Sequence, residues 1–477
     1  MTSVPSLPAE RAGLPAGGPV AAPADRPYQL RCPVCHESHQ DDGLRLDCAA
    51  AHRTGPAHRP GLLSTEYARA FAPGPGSGPF RYACWLPTAG RELPQGAIGA
   101  TYRAERLGRE LGLTELWVAF SGHWPERGAA LETGSFKELE AQAVLARLPE
   151  RPPVLVVASA GNTAAAFLRA CSRQRVDCVL VVPEAALPAL AAAGERADCV
   201  RLVTVAGDYT DAIELADAVA ARPGFQAEGG TRNVARRDGL GTALLAAAET
   251  IGRLPDHYVQ AVGSGAGAIA AHQAAKRLLA AGFPAAHHSA AQHSAAHHRA
   301  ALHPAAPHPG TLSGDLPRLT LCQSAPFAPM VRAWQDGLAE PLIGSGTEVR
   351  AAVAAAHAPE LTTRKPPYAV AGGVRECLTE SGGEMRAVDN DEAAAAGRLF
   401  AAAEGTDIEP AAAVALAGLR QAVAAGRVRP GETVLLHVTG GGRARRAATH
   451  PPVPVHPDLR IPAGLGAEAA AYLVTGA

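Results

Sequence analysis

An α/β fold of two lobes with doubly wound parallel sheets is predicted by three features of the sequence. Short Val/Leu runs recur between helices of about 10–15 residues, the mark of strands buried on both faces. These runs end in turns of Gly, Ser and Thr, and open α/β sheets bind ligands at such carboxyl ends. The length of 477 residues, 47% of them hydrophobic, is enough for a sizeable core. Only 4% are aromatic, so Ala and Val must fill much of it.

Taken in order, residues 1–26 are rich in Pro, Gly and Ala and read as a disordered lead without the basic and apolar regions of a secretory signal. Residues 27–68 carry the spacing Cys32-x2-Cys35-x12-Cys48-x3-His52, with His58 nearby. Two thiols two residues apart chelate from one turn, and a second pair completes a tetrahedron, the ligand logic of a structural zinc ion. This predicts a small zinc-ribbon-like segment ahead of the lobes. The segment YRAERLGRELG (102–112) reads as a charged helix and 114–120 as a strand. Further strands are expected within 152–160, 177–184, 199–207, 256–265, 316–323 and 432–442. A larger lobe is assigned to 69–134 and 251–477, and a smaller one to 135–250. A His-rich loop, 285–314, interrupts the larger lobe and reads as disordered.

The formal charge is −1, which gives no reason to expect a nucleic acid or an acidic membrane surface as partner. No uncharged apolar run reaches the length of a membrane span. Nine cysteines, an odd number spread along the chain, fit a reducing cytoplasm better than a disulfide framework.

Four turns carry candidate chemistry. Lys137, Lys276 and Lys365 are the only lysines among 44 basic residues, and Lys137 alone stands at a helix start beside a plausible cofactor site. A helix N-terminus disfavours the protonated amine, as bonding to an aldehyde cofactor requires. Ser159, Ala160, Gly161, Asn162 and Thr163 form a strand-to-helix turn whose N–H groups suit an anion. Gly263, Ser264, Gly265, Ala266 and Gly267 let backbone approach a phosphate; the pattern favours a monophosphate over a dinucleotide. Thr439, followed by three glycines, leaves room for a planar ring and a hydroxyl for its nitrogen. Arg232, Arg236 and Arg237 are candidates for gripping an anionic substrate, against the plainer reading of a solvated helix face.

These motifs, with LRCPVC, TYRAERLGRELGL, SFKELEA, AGDYTDA, SAPFAPM and HVTGGG, resemble the fold type II pyridoxal-phosphate enzymes over most of 27–445. Within them the order resembles the cysteate synthase family, a relative of threonine synthase. The resemblance implies that Lys137 holds pyridoxal 5′-phosphate and moves a proton. It also implies that Asn162 meets the ring oxygen, Gly263–Gly267 the phosphate and Thr439 the ring nitrogen. Ser159–Thr163 would receive a substrate carboxylate. The implied reaction is β-elimination and replacement on a phosphorylated amino acid, O-phosphoserine plus a small anionic nucleophile, sulfite, giving cysteate and phosphate. Threonine formation from O-phosphohomoserine, another β-substituted alanine, or a non-catalytic sensor of the cofactor or an amino acid are the alternatives. A homo-oligomer is also implied. Three departures from the family pattern stand out: Glu138-Leu139 follows the lysine, His36 occupies a position where such ribbons carry glycine, and the His-rich loop interrupts the chain.

Overall fold

The computed structural model describes residues 26–55, 58–88, 96, 98–286, 315–344 and 346–476. The expected lead 1–26, except its last residue, and the His-rich loop, except its first two, lie outside the described residues.

Strands β1 (Tyr28–Arg31), β2 (Ser38–His39) and β3 (Ser64–Tyr67) form a small antiparallel sheet in the order β2-β1-β3, with the short helix α1 (Ala49–Thr54) between β2 and β3. The larger sheet starts with β4 (Ala100–Arg103), helix α2 (Glu105–Leu111) and β5 (Leu116–Phe120). A two-stranded hairpin, β6 (His123–Trp124) and β7 (Ala129–Ala130), leads to helix α3 (Lys137–Arg147). The chain then builds the smaller sheet through β8 (Val154–Ala158), α4 (Asn162–Gln174), β9 (Cys178–Pro183), α5 (Leu187–Leu190), β10 (Val200–Val205), α6 (Tyr209–Ala220) and β11 (Phe225–Ala227). After α7 (Val234–Ile251) it returns to the larger sheet with β12 (His257–Ala261), α8 (Ala266–Ala280), β13 (Arg318–Ser324), β14 (Glu384–Val388) and β15 (Val434–Val438). The last strand, β16 (Leu459–Ile461), goes back to the smaller sheet.

The sheet orders are β11-β8-β9-β10-β16 and β14-β13-β12-β15-β5-β4. All pairings are parallel except β4 against β5. Both sheets are covered on both faces. Along β12, Tyr258 faces one apolar layer with α7 and α8, while Val259 and Ala261 face another with the helices Asn390–Glu404 and Pro410–Ala424. Around the smaller sheet, α4 covers one face, and α6 with the C-terminal helix Ala467–Thr475 covers the other. That is the doubly wound arrangement.

Two sequence expectations are corrected. The stretch read as one helix begins as β4, because Tyr102 pairs with Val118 and lays its ring edge-on to Trp124, 6.0 Å away. The helix proper starts at Glu105. The boundary 251–477 also fails at its end: Val203, Thr204 and Val205 of β10 pair with Leu459, Arg460 and Ile461, so the C-terminal strand and helix belong with the smaller sheet.

Small residues bring helices close where the site is built. A Cβ at Gly239 of α7 would fall 2.4 Å from the Leu139 carbonyl and 2.6 Å from the Ala143 side chain, both on α3. No helix among the described residues is long and apolar enough to cross a membrane.

Candidate active site

The turn before α3 is tied to the glycine-rich turn after β15. Phe136 N donates to Thr439 O (2.9 Å), Gly441 N donates to Gly134 O (3.0 Å), and Ser135 bridges Gly440. The phenyl ring of Phe136 packs edge-on to His437 and touches the turn after β12, where a Cβ at Gly267 would meet it at 2.9 Å. Three of the four sequence-predicted turns therefore converge on one aromatic ring. Beneath it runs a buried relay: Ser121 Oγ to His437 Nε2 (3.0 Å), His437 Nδ1 to Tyr258 OH (2.7 Å), Tyr258 OH to Gln260 Oε1 (2.7 Å). Burial pushes His437 down to about 3, so its ring is neutral and acts as a spacer between hydroxyls.

Lys137 is the first residue of α3, and its amine lies 4.7 Å from the Phe136 ring centroid. Nζ donates to Glu140 Oε2 at 3.1 Å. Glu140 is fully buried, and its other oxygen accepts from Thr163 Oγ1 (2.8 Å) and pairs with Arg236 Nη1 (2.9 Å). Arg236 in turn grips Glu228 through Nε (2.9 Å) and Nη2 (2.5 Å). Two cations and two anions alternate, so the buried charges cancel. Burial holds the Lys137 ammonium below its ordinary range; Glu140 opposes that and Arg236 adds to it.

The fourth turn faces this row. Ser159 Oγ accepts from Gly161 N (3.2 Å) and Ala164 N (3.1 Å), capping α4 from within the turn. Ala160 is exposed and Gly161 half-buried. Asn162 donates to Glu409 Oε2 (2.6 Å) and accepts from Arg443 Nη2 (3.2 Å). Burial, with the nearby Glu360 adding to it, raises the Glu409 carboxyl to about 7 against the pull of Arg443. In the turn after β12, Gly265 has φ +82°, the left-handed conformation glycine adopts freely, and caps the 15-residue helix α8. Residues 360–363 lie over this loop, within about 3.2 Å of a Cβ placed at Gly263.

The sequence-predicted arginines do not act together. Arg232 is exposed and pairs with Asp47 (2.8 Å). Arg237 is buried, donating to the Leu63 carbonyl and to Gln273 Oε1 (3.0 Å). Only Arg236 reaches the lysine's surroundings, and both its faces are committed to carboxylates. Arg232 precedes α7, and Arg236 and Arg237 diverge because adjacent residues of a helix face different sides. Sequence reasoning missed Glu140, Glu409 and Arg364. Arg364 reaches across from the large-lobe segment to Asp208 at the N-cap of α6 (2.7 Å). Glu140 lies one helical turn after Lys137, and Glu409 immediately precedes Pro410 at a helix start, the signals by which they were accessible.

Three of the four expected metal ligands are brought together. Cys32, Cys35 and Cys48 converge, and the histidine brought to them is His58. His52 is on α1, with its side chain outside the described residues. The bend at Gly55 (φ +54°) returns the chain toward the thiols, which places the ligand after the helix.

The groups present fit pyridoxal phosphate: an amine whose pKa burial lowers, a glycine cradle at a helix N-terminus that side chains would fill, and a threonine hydroxyl at a strand end. Fold and site together define a fold type II pyridoxal-phosphate enzyme. A family profile described as "Pyridoxal-phosphate dependent enzyme" matches residues 100–440. The chain is 46% identical over 441 residues to a cysteate synthase of Methanosphaerula palustris, covering 92% of this chain and 95% of that protein. A cysteate synthase of Methanoculleus marisnigri is 44% identical, with 92% and 94% covered. Threonine synthase from Escherichia coli shares the fold, with TM-score 0.52, 16% identity, and 76% of this chain and 79% of that chain covered. The chain belongs to the cysteate synthase family of pyridoxal-phosphate enzymes.

Proposed function

We propose that the chain forms cysteate from O-phosphoserine and sulfite, releasing inorganic phosphate. The observation that carries this reading is the 46% identity to a cysteate synthase across 92% of the chain. Bound pyridoxal phosphate supplies an electron-withdrawing ring that acidifies the substrate Cα–H and eases loss of the β-phosphate. Lys137 holds the cofactor and, as an amine whose pKa burial lowers, takes the proton from Cα. Gly263, Ser264, Gly265, Ala266 and Gly267 bind the cofactor phosphate at the start of α8, and Thr439 meets the ring nitrogen. Asn162, held by Glu409 and Arg443, is oriented to meet the ring oxygen. Ser159, Ala160, Gly161 and Thr163 offer the α4 N-terminus to the substrate carboxylate, with Thr163 fixed by Glu140. Arg364, 26% exposed at its side chain, adjoining the loop that covers Gly263 and paired with Asp208 through one nitrogen, is the cation assigned to the leaving phosphate or the incoming sulfite. In the balanced reaction the Cβ–O bond breaks, a Cβ–S bond forms from the sulfite lone pair, phosphate carries away the electron pair of the broken bond, and Lys137 returns the proton to Cα.

The test is phosphate release from O-phosphoserine and from O-phosphohomoserine, each with sulfite, sulfide or water. Sulfite-dependent release from O-phosphoserine is expected. Release from O-phosphohomoserine alone would assign the chain to threonine formation instead.

A further inference from the structure

Outside the active site, Cys32, Cys35, Cys48 and His58 present three sulfurs and a ring nitrogen, all within 4.8 Å of one another. The Cys35 and Cys48 sulfurs are 3.6 Å apart, and Cys32 Sγ is 3.5 Å from His58 Nε2. Around a tetrahedral zinc ion, bond lengths of about 2.3 Å to sulfur and 2.0 Å to nitrogen give edges of about 3.8 Å and 3.5 Å. The thiols also have outer partners: Val34 N donates to Cys32 Sγ (3.4 Å), and His39 Nε2 is 3.2 Å from Cys48 Sγ. His36 holds the left-handed φ of +59° that closes this knuckle, with its N–H on Cys32 O (3.1 Å). A non-glycine residue adopts that conformation at a cost.

The loop between Cys35 and Cys48 reaches the catalytic helix. Asp41, on this loop, accepts from Arg147, the last residue of α3, through Nε (2.9 Å) and Nη2 (2.7 Å). Arg147 is 1% exposed, and its other donors go to the Arg45 carbonyl (2.6 Å) and to Asn233 Oδ1 (2.9 Å). Asn233 caps α7, which carries Arg236, the partner of Glu140 beside Lys137. A helix rising about 1.5 Å per residue puts Arg147 about 15 Å from Lys137, at the opposite end of α3.

We propose that Cys32, Cys35, Cys48 and His58 bind a structural zinc ion, and that the ion, by fixing both ends of the loop that holds Arg147, sets the position of the Lys137 helix. A closed set of four protein ligands leaves no open coordination position, so the ion is structural rather than catalytic. Without it the loop regains its freedom, and the buried Arg147 guanidinium loses the carboxylate that compensates it. The second half of this proposal rests on Lys137 holding the cofactor; metal content does not.

Metal analysis of the full chain purified without chelator tests the site. One zinc per chain is expected, lost in His58→Ala and kept in His52→Ala. Zinc kept in His58→Ala, or none taken up by the wild type on incubation with the ion, overturns the assignment. Visible circular dichroism of bound pyridoxal phosphate tests the coupling. Asp41→Asn, with zinc retained, is expected to lose or shift that signal in the same sense as chelator-stripped protein. A wild-type signal in zinc-loaded Asp41→Asn overturns the coupling, and this variant decides the question where stripping unfolds the chain.

Discussion

Lys137 Nζ and Glu140 Oε2 are 3.1 Å apart, one turn along the same helix, and Glu140 carries the lysine's charge into a row that ends at Glu228. The Glu140→Gln variant leaves Lys137 and Arg236 with one carboxylate between them. Breaking a buried pair of this kind costs about 3 kcal/mol, read as a lowered urea midpoint. Because burial already holds the lysine's ammonium low and Glu140 opposes that effect, its loss lowers Lys137 further. Cofactor capture by the variant is expected to begin at lower pH than in the wild type, as followed by absorbance.

Glu409 predicts a separate pH effect. Its folded value of about 7 lies above the ordinary 4.5, so the folded chain binds the proton more tightly than the unfolded one. The resulting stability is fully present below about 4.5 and is lost as pH rises through about 7. Glu409→Gln removes this titration. The stability difference between variant and wild type should therefore move in the variant's favour across that window, measured by denaturant unfolding at a series of pH values.

The arginines give a paired comparison. Arg364→Ala removes a partly exposed cation beside the loop over Gly263. A charge-assisted hydrogen bond of about 1.5–3 kcal/mol corresponds to at least a tenfold rise in KM for O-phosphoserine. Arg232→Ala breaks only an exposed pair with Asp47 and is expected to leave KM and kcat unchanged. Equal effects in both variants would reject Arg364 as the substrate-facing cation.

Local pattern carried much of the fold. The strands β5, β8, β9, β10, β12 and β15 lie within the stretches read from sequence and β13 runs one residue past its own, because strands buried on both faces need continuous apolar residues. The three-residue strands β11 and β16 have no such signature, and β16 is defined only by its pairing with β10, as of Val203 with Leu459, 256 positions further along the chain. At the site, the turns at Lys137, Gly263–Gly267 and Thr439 were legible because glycines and a helix start leave local marks. The roles of Arg236 and Arg237 were not: two adjacent cations on α7 differ only in which neighbours tertiary structure brings, Glu140 and Glu228 to one and the Leu63 carbonyl to the other. The approach of His58 to the three thiols likewise depends on the path of the chain rather than on spacing.

The most direct test of the account is to reduce the cofactor-loaded protein with borohydride, which fixes pyridoxal phosphate to the amine that holds it, and to map the modified peptide by mass spectrometry. The account predicts the added mass on Lys137, within the peptide that carries Glu138 and Glu140. Modification of Lys276 or Lys365 with Lys137 untouched, or a loaded protein in which no lysine is modified, would contradict it.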